Sequence, residues 1–250
     1  MRGKRYLKKT SKEKNGIIIL LIFISIMIVS GIKIFIWFKE NKQSQNIMDN
    51  ISNSISVYKS IDNVKKYNIN FEELKQTNSD TIAWLKVNGT DIEYPVVKGH
   101  DNDYYMTHSF DKNYNNAGWV FMDYKNKFDG TDNNMVIYAH NRRNGSMFGT
   151  LKNILTEEWQ KNQENFIIPF ITENENSEYQ VFSVYRIEKE DYYITTNFGT
   201  ENEFQKYIDT IKLRSVKDFN VDVSIEDNIL TLSTCADNNK YRVVLHAKKI

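Results

Sequence analysis

Residues 229–247 read ILTLSTCADNNKYRVVLHA. Two runs rich in aliphatic and β-branched residues, Ile229–Cys235 and Tyr241–Ala247, flank a short polar stretch, and this pattern predicts two strands joined by a tight return. Similar runs, set between Asn, Asp and Gly clusters, recur upstream at Ile82–Val87, Ile92–Val97, Gly118–Asp123, Met135–His140, Phe166–Thr172 and Tyr179–Ile187. About eight strands with few helices between them predict an all-β barrel or sandwich. Helices are expected at Ser146–Ile154 and Glu201–Leu213. In the second, Phe204, Tyr207, Ile208 and Ile211 make an apolar stripe of the kind that usually packs a core.

Working back toward the N-terminus, residues 39–75 read as helical, because Ile47, Ile51, Ile55, Tyr58, Ile61 and Val64 recur at three- and four-residue steps. Residues 16–38 hold the apolar run GIIILLIFISIMIVSGI and, after Lys33, Ile34–Phe38. As a helix this segment is roughly 34 Å long at about 1.5 Å per residue, against a hydrocarbon core of about 30 Å. Lys33 and Trp37 suit its outer interface. Seven basic residues against Glu13 give residues 1–15 a net charge of +6, which keeps that tip in the cytoplasm and puts the rest outside. A cleaved signal peptide has a similar basic start, but this run is long and no small-x-small site follows it. The expected organisation is therefore a basic tip (1–15), a transmembrane signal anchor (16–38), a helical stalk (39–69) and a catalytic domain (70–250).

Without the tip and Lys33 the chain carries −6 out of a total of +1, which argues against a nucleic-acid partner. One cysteine and four histidines show no metal-ligand spacing. No phosphate-binding glycine loop occurs, and Ser146 lacks a nucleophile-elbow pattern. No metal or other cofactor is expected. Cys235 is the only cysteine, an unpaired thiol in a domain read as extracellular. A lone cysteine is as readily a small buried hydrophobe as a nucleophile. Three features favour the nucleophile. Cys235 ends one strand, His140 ends another (Val136-Ile137-Tyr138-Ala139-His140), and the tight return sets Arg242 beside Cys235. A thiolate attacks carbonyls and cationic neighbours favour it, an imidazole protonates a leaving amine, and a guanidinium steadies an oxyanion.

Thr231-Leu232-Ser233-Thr234-Cys235 resembles the TLxTC signature of sortases, with an Arg on the following strand, and Tyr138-Ala139-His140-Asn141 resembles the family's histidine motif. The order His, Cys, Arg is similar too, and differs from papain-like proteases, where Cys precedes His. Tyr94-Pro95-Val96-Val97, Asp101–Met106 and Ala117–Asp123 resemble class B in particular, as does the helix at 201–213.

The resemblance implies a mostly β fold: an eight-stranded sortase barrel with N-terminal helices and a helix before the last two strands, behind one transmembrane helix. It implies a cysteine transpeptidase of Gram-positive bacteria at the plasma membrane, with its N-terminus cytoplasmic and its catalytic domain extracellular. Cys235 would attack the carbonyl of a Thr in a surface protein's sorting signal, His140 would protonate the departing amine, and Arg242 would hold the carbonyl or oxyanion with the backbone N–H of Ala236. An amine of peptidoglycan or its lipid-linked precursor would resolve the acyl-enzyme. An Asn-Pro-x-Thr type of signal fits class B. Asn102, Met106 and Ser233 match positions at the sorting peptide, and Tyr207 and Ile208 are candidates for a groove wall. Three alternatives stay open: a sortase of another class, a non-catalytic wall-binding barrel, and a cysteine peptidase that uses water.

Overall fold

The structure, a computed structural model, describes residues 11–52, 54–59, 65–235 and 240–250; residues 1–10 of the basic tip and Ala236 lie outside these. It contains two compact units, one ending at Gln43 and one spanning Ser44–Ile250. The first unit holds the N-terminal part of helix α1 (Ser11–Ser52), whose side chains from Ile17 to Phe38 are exposed. Among the described residues α1 is the one helix long and apolar enough to be a candidate membrane span. A helix that is apolar all round needs an apolar solvent on every side.

The second unit departs from the expected stalk. The helix ends at Ser52 and gives way to an antiparallel hairpin, β1 (Ile55–Lys59) with β2 (Lys65–Ile69). At the helix end Ser52 Oγ donates to the Asp49 carbonyl at 2.7 Å, a local side-chain bond that competes with helix continuation. Beyond the helix the pattern has period two, with Tyr67 and Ile69 buried and Asn68 exposed. A short helix, α2 (Phe71–Thr77), follows, its first turn capped by the Asn70 side chain accepting from the Glu73 amide at 3.1 Å.

Among the described residues eight strands close a barrel: β3 (Thr81–Val87), β4 (Ile92–Val97), β5 (Phe121–Met122), β6 (Asn134–His140), β7 (Ile167–Thr172), β8 (Asn176–Glu188), β9 (Ile229–Cys235) and β10 (Tyr241–Lys249). Their order around the wall is β10-β8-β7-β3-β4-β5-β6-β9. The expected helix at Ser146–Ile154 is instead a turn, a 3-10 segment (Leu151–Leu155) and α3 (Glu157–Lys161). The helix at Glu201–Leu213 is present as α4, opened by a reciprocal cap: Thr200 accepts from the Glu203 amide while the Glu203 carboxylate accepts from the Gly199 amide.

β9 is buried on both faces, and its alternation serves two cores. Leu230 and Leu232 join the main core with Leu85, Val96, Phe170 and Leu245. Ile229 joins a second core, made by the α4 stripe with Phe182, Tyr185 and Val244. Beside that core lies His246, fully buried and neutral. Its Nδ1–H donates to Thr231 Oγ1 at 2.8 Å and its Nε2 accepts from the Tyr185 hydroxyl at 2.8 Å. Burial pulls its pKa down from 6.5 to about 3.

Two predictions follow from these positions. Gly118 has φ +61°, and a Cβ there would sit 2.5 Å from the Tyr105 carbonyl oxygen and 2.8 Å from that of Met106. Gly118→Ala should destabilise the fold by about 1–3 kcal/mol in denaturant unfolding, the sum of a left-handed φ and a backbone clash. The His246 pKa is depressed on folding, so the unfolded chain takes up the proton first as pH falls. Stability from this residue is present above about pH 6.5 and is lost below it, by up to about 1.4 kcal/mol per pH unit. Unfolding midpoints between pH 7.5 and 5 should fall more steeply for the natural chain than for His246→Asn; equal slopes would refute the assignment.

Candidate active site

β6 and β9 run parallel, in register from Asn134↔Ile229 to His140↔Cys235. Two strand ends far apart in sequence therefore meet at one rim, with backbones about 4.8 Å apart. β10 pairs antiparallel with β9, with Val244 opposite Ser233, and the Val243 amide donates to Thr234 Oγ1 at 3.0 Å. Continuing that register by two residues brings Arg242 level with Cys235. The three chemical candidates thus occupy adjacent strands: His140 on β6, Cys235 on β9 and Arg242 on β10. His140 and Arg242 are both buried, and Arg242 donates from Nη1 to the Tyr241 carbonyl at 3.0 Å.

His140 is oriented from below. Its Nε2–H donates to the Met106 carbonyl oxygen at 2.7 Å. The turn that presents this carbonyl, Tyr104–Met106, is held by Asp101, whose Oδ1 accepts from the amides of Tyr104 (2.8 Å) and Asp103 (2.9 Å). Those two N–H groups keep the Asp101 carboxyl below the usual carboxylate range. Gly118 packs against the same carbonyl and against the His140 ring, which is why no side chain fits there.

A groove of about 300 Å3 runs along this rim. Asn102, Met106, Ser233 and Arg242 line it, so four of the residues marked in the sequence come together around one space. Asn102 is fixed by Asp123: its Nδ2 donates to Asp123 Oδ2 at 3.1 Å, and the same oxygen accepts the Tyr138 hydroxyl at 2.9 Å. Sequence alone gives the buried Asp123 no role, although it sits within a stretch that resembles class B.

Tyr207 and Ile208 are placed elsewhere. Both are buried in the second core, and they do not line the groove. The facing wall is Tyr193 and Ile194, from a 3-10 turn at Tyr192–Ile194. Tyr193 turns its hydroxyl to Ser233 Oγ at 3.1 Å. The sequence signal for this wall is faint, because Tyr-Tyr-Ile after Asp191 reads equally well as a strand start. The outer lip carries Lys189, Glu190 and Asp191. It is steadied by Arg214, which pairs with Glu190 at 3.1 Å and lies over the Tyr192 ring at 4.1 Å.

The arrangement provides a thiol-bearing strand end next to a cation, an imidazole tied through one nitrogen, and a groove of about 300 Å3 beside them. The chain is similar to known proteins in sequence and fold. Residues 85–250 match the Sortase domain family. The chain is 30% identical to Sortase B of Staphylococcus aureus over 253 residues, covering 100% of this chain and 99% of that one. A Staphylococcus aureus sortase B–substrate complex superposes with a TM-score of 0.68 at 29% identity, covering 86% of this chain and 94% of that one. A sortase B complexed with Gly3 gives 0.68 at 33% identity, covering 72% and 85%. The closed eight-stranded barrel and a likeness that runs the length of the chain lead to one family: this chain belongs to the sortases, cysteine transpeptidases, and within them to class B.

Proposed function

We propose that this protein is a membrane-anchored class B sortase that cuts a surface-protein sorting signal after Thr, through Cys235, and joins the new acyl end to a cell-wall amine. The observation that carries the reading is the meeting of His140, Cys235 and Arg242 on three neighbouring strands at the rim of a groove. In this reading residues 16–38 anchor the chain with the basic tip in the cytoplasm, and 70–250 form the extracellular catalytic domain. The sorting peptide lies between Asn102 and Met106 on one side and Tyr193, Ile194 and Ser233 on the other.

The chemistry runs in two halves. The Cys235 thiolate, favoured by the adjacent guanidinium, adds to the Thr carbonyl carbon. Arg242 and the backbone N–H of Ala236 take the negative charge that develops on oxygen. The tetrahedral adduct collapses as the C–N bond breaks, and the departing amine takes a proton from the His140 imidazolium, leaving a thioester and a neutral imidazole. With Nε2 tied to the Met106 carbonyl, Nδ1 is the nitrogen that exchanges the proton. The acceptor amine then adds to the thioester, gives its proton back to Nδ1 and expels the thiolate, so the enzyme returns to its starting state. The known sortase B complexes with a substrate and with Gly3 support a peptide donor and an amine acceptor for this chain. The class B relatives favour an Asn-Pro-x-Thr type of signal, and peptidoglycan or its lipid-linked precursor as the source of the amine.

Full-length protein in detergent micelles, mixed with a panel of sorting-signal peptides and followed by mass spectrometry, tests this directly. A peptide-minus-leaving-group adduct on Cys235 should form and convert to an amide when an amine is added. Hydrolysis alone in the presence of amine would identify a peptidase instead. Cys235→Ala should abolish adduct and product with the fold retained. His140→Ala and Arg242→Ala should each lower kcat/KM by at least about a hundred-fold, the scale of losing an acid–base group or an oxyanion donor. Normal turnover in either variant would remove that residue from the mechanism.

A further inference from the structure

The Tyr193–Ile194 wall has little backbone support of its own. Its turn closes through long bonds, Ile194 N–H to the Asp191 carbonyl at 3.3 Å and Thr195 N–H to the Tyr192 carbonyl at 3.4 Å. Its anchorage comes from buried polar side chains behind it. Asn134, fully buried at the start of β6, donates from Nδ2 to the Thr195 carbonyl at 2.9 Å and to the Tyr207 hydroxyl at 2.9 Å. Tyr207 in turn donates to the Tyr193 carbonyl at 3.0 Å. The other end of Asn134 is fixed as well: Oδ1 accepts from Thr231 at 2.6 Å, and Thr231 accepts from His246. The Asn134 amide donates to the Thr196 carbonyl at 3.0 Å, so backbone and side chain of one residue grip the same short segment.

Each bond in this chain has a single consistent direction, from the Tyr185 hydroxyl to His246, on through Thr231 to Asn134, and through Tyr207 to Tyr193. Directional, water-excluded networks hold their end groups in one geometry. Asn134 is also remote from the reacting atoms, six residues along β6 from His140, or about 20 Å at about 3.3 Å per residue. It can therefore act on the groove wall without acting on the nucleophile.

We propose that Asn134 and Tyr207 are positioning residues for the sorting peptide. By fixing the carbonyls of Tyr193 and Thr195 they set the distance of the Tyr193–Ile194 wall from Ser233, and so the affinity for peptide, while leaving the acyl-transfer step unchanged. This rests on the reading of the groove as the peptide site.

The test uses the full chain in micelles and Tyr207→Phe, which keeps the ring in the second core and removes only the hydroxyl. KM for the cleaved peptide should rise about ten-fold, the scale of one buried hydrogen bond, with kcat within about two-fold, as expected when binding and chemistry are separable. Alkylation of Cys235 by iodoacetamide should keep its rate, and amide hydrogen exchange over residues 193–196 should quicken while β6 and β9 stay protected. Asn134→Ser, which removes the bonds to the Thr195 carbonyl, the Tyr207 hydroxyl and Thr231 together, should raise KM at least as much. Tyr193→Phe should raise KM, and combining it with Tyr207→Phe should give less than the product of the single effects, because both act through one wall. Unchanged KM in Tyr207→Phe and Asn134→Ser would overturn the proposal, as would a fall in kcat with slowed alkylation, since the lesion would then reach the nucleophile. Failure of the natural chain to cleave any sorting peptide would instead remove the groove reading and this inference with it.

Discussion

The parallel pairing of β6 with β9 is the constraint on which the site depends. Parallel neighbours cannot be joined by a hairpin and need a crossover. Here the crossover is most of the second half of the chain, with β7, β8 and α4 between His140 and Cys235. The two residues meet because the barrel closes, not because the sequence sets them close together. Register is decisive, because a slip of one residue turns every side chain of a strand to the other face. In β9 such a slip would send Thr231 and Ser233 into the main core and bring Leu230 and Leu232 out toward the polar layer. Both faces of β9 are buried, so both resist the slip, and the alignment of His140 with Cys235 follows from core packing several residues away.

The polar layer on the outer face of β9 contributes in a second way. Thr231, His246 and Asn134 are each fully buried, and a buried polar group left unpaired is strongly destabilising. Their bonds are mutually satisfied only if β6, β9 and β10 sit in the observed register, since one residue comes from each strand. The network therefore discriminates against near alternatives more than it adds to net stability, a role that apolar residues of the same volume would not perform. The neutral state of His246 belongs to this logic: fully buried, the ring would lose the solvation that stabilises an imidazolium.

Much of this was legible in the residues. Each of the eight barrel strands overlaps a run readable from its Val, Ile, Tyr and Phe content, and strand ends bearing His140 and Cys235, with Arg242 across a short return, pointed to one rim. Reading failed where local pattern has two tertiary solutions. Ile51, Ile55 and Tyr58 are spaced for a helix, yet the helix ends at Ser52, and Ile55–Lys59 pairs as a strand with Lys65–Ile69. The stripe on α4 reads as core packing by its pattern, as it proves to be, while the resemblance also made Tyr207 and Ile208 candidates for a groove wall. Only the sheet face beneath it, carrying Phe182, Tyr185 and Val244, settles that Tyr207 and Ile208 point into a core. Tyr193 and Ile194 gave no periodic signal, because a three-residue turn is too short to have one.

These differences in legibility follow a physical division within the site. The residues proposed for the chemistry are held by a closed sheet, where every neighbour restricts them and the sequence must carry a strong, regular pattern. The facing wall is an irregular segment held to that sheet by a few side-chain bonds to its carbonyls. Bonds to carbonyls do not depend on which side chains the segment itself carries. The wall's own residues, at 189–196, can therefore change without disturbing the anchors at Asn134 and Tyr207, and the anchors can hold whatever wall is presented. In the proposed reading, such a construction lets peptide preference vary while the acyl-transfer geometry stays constant.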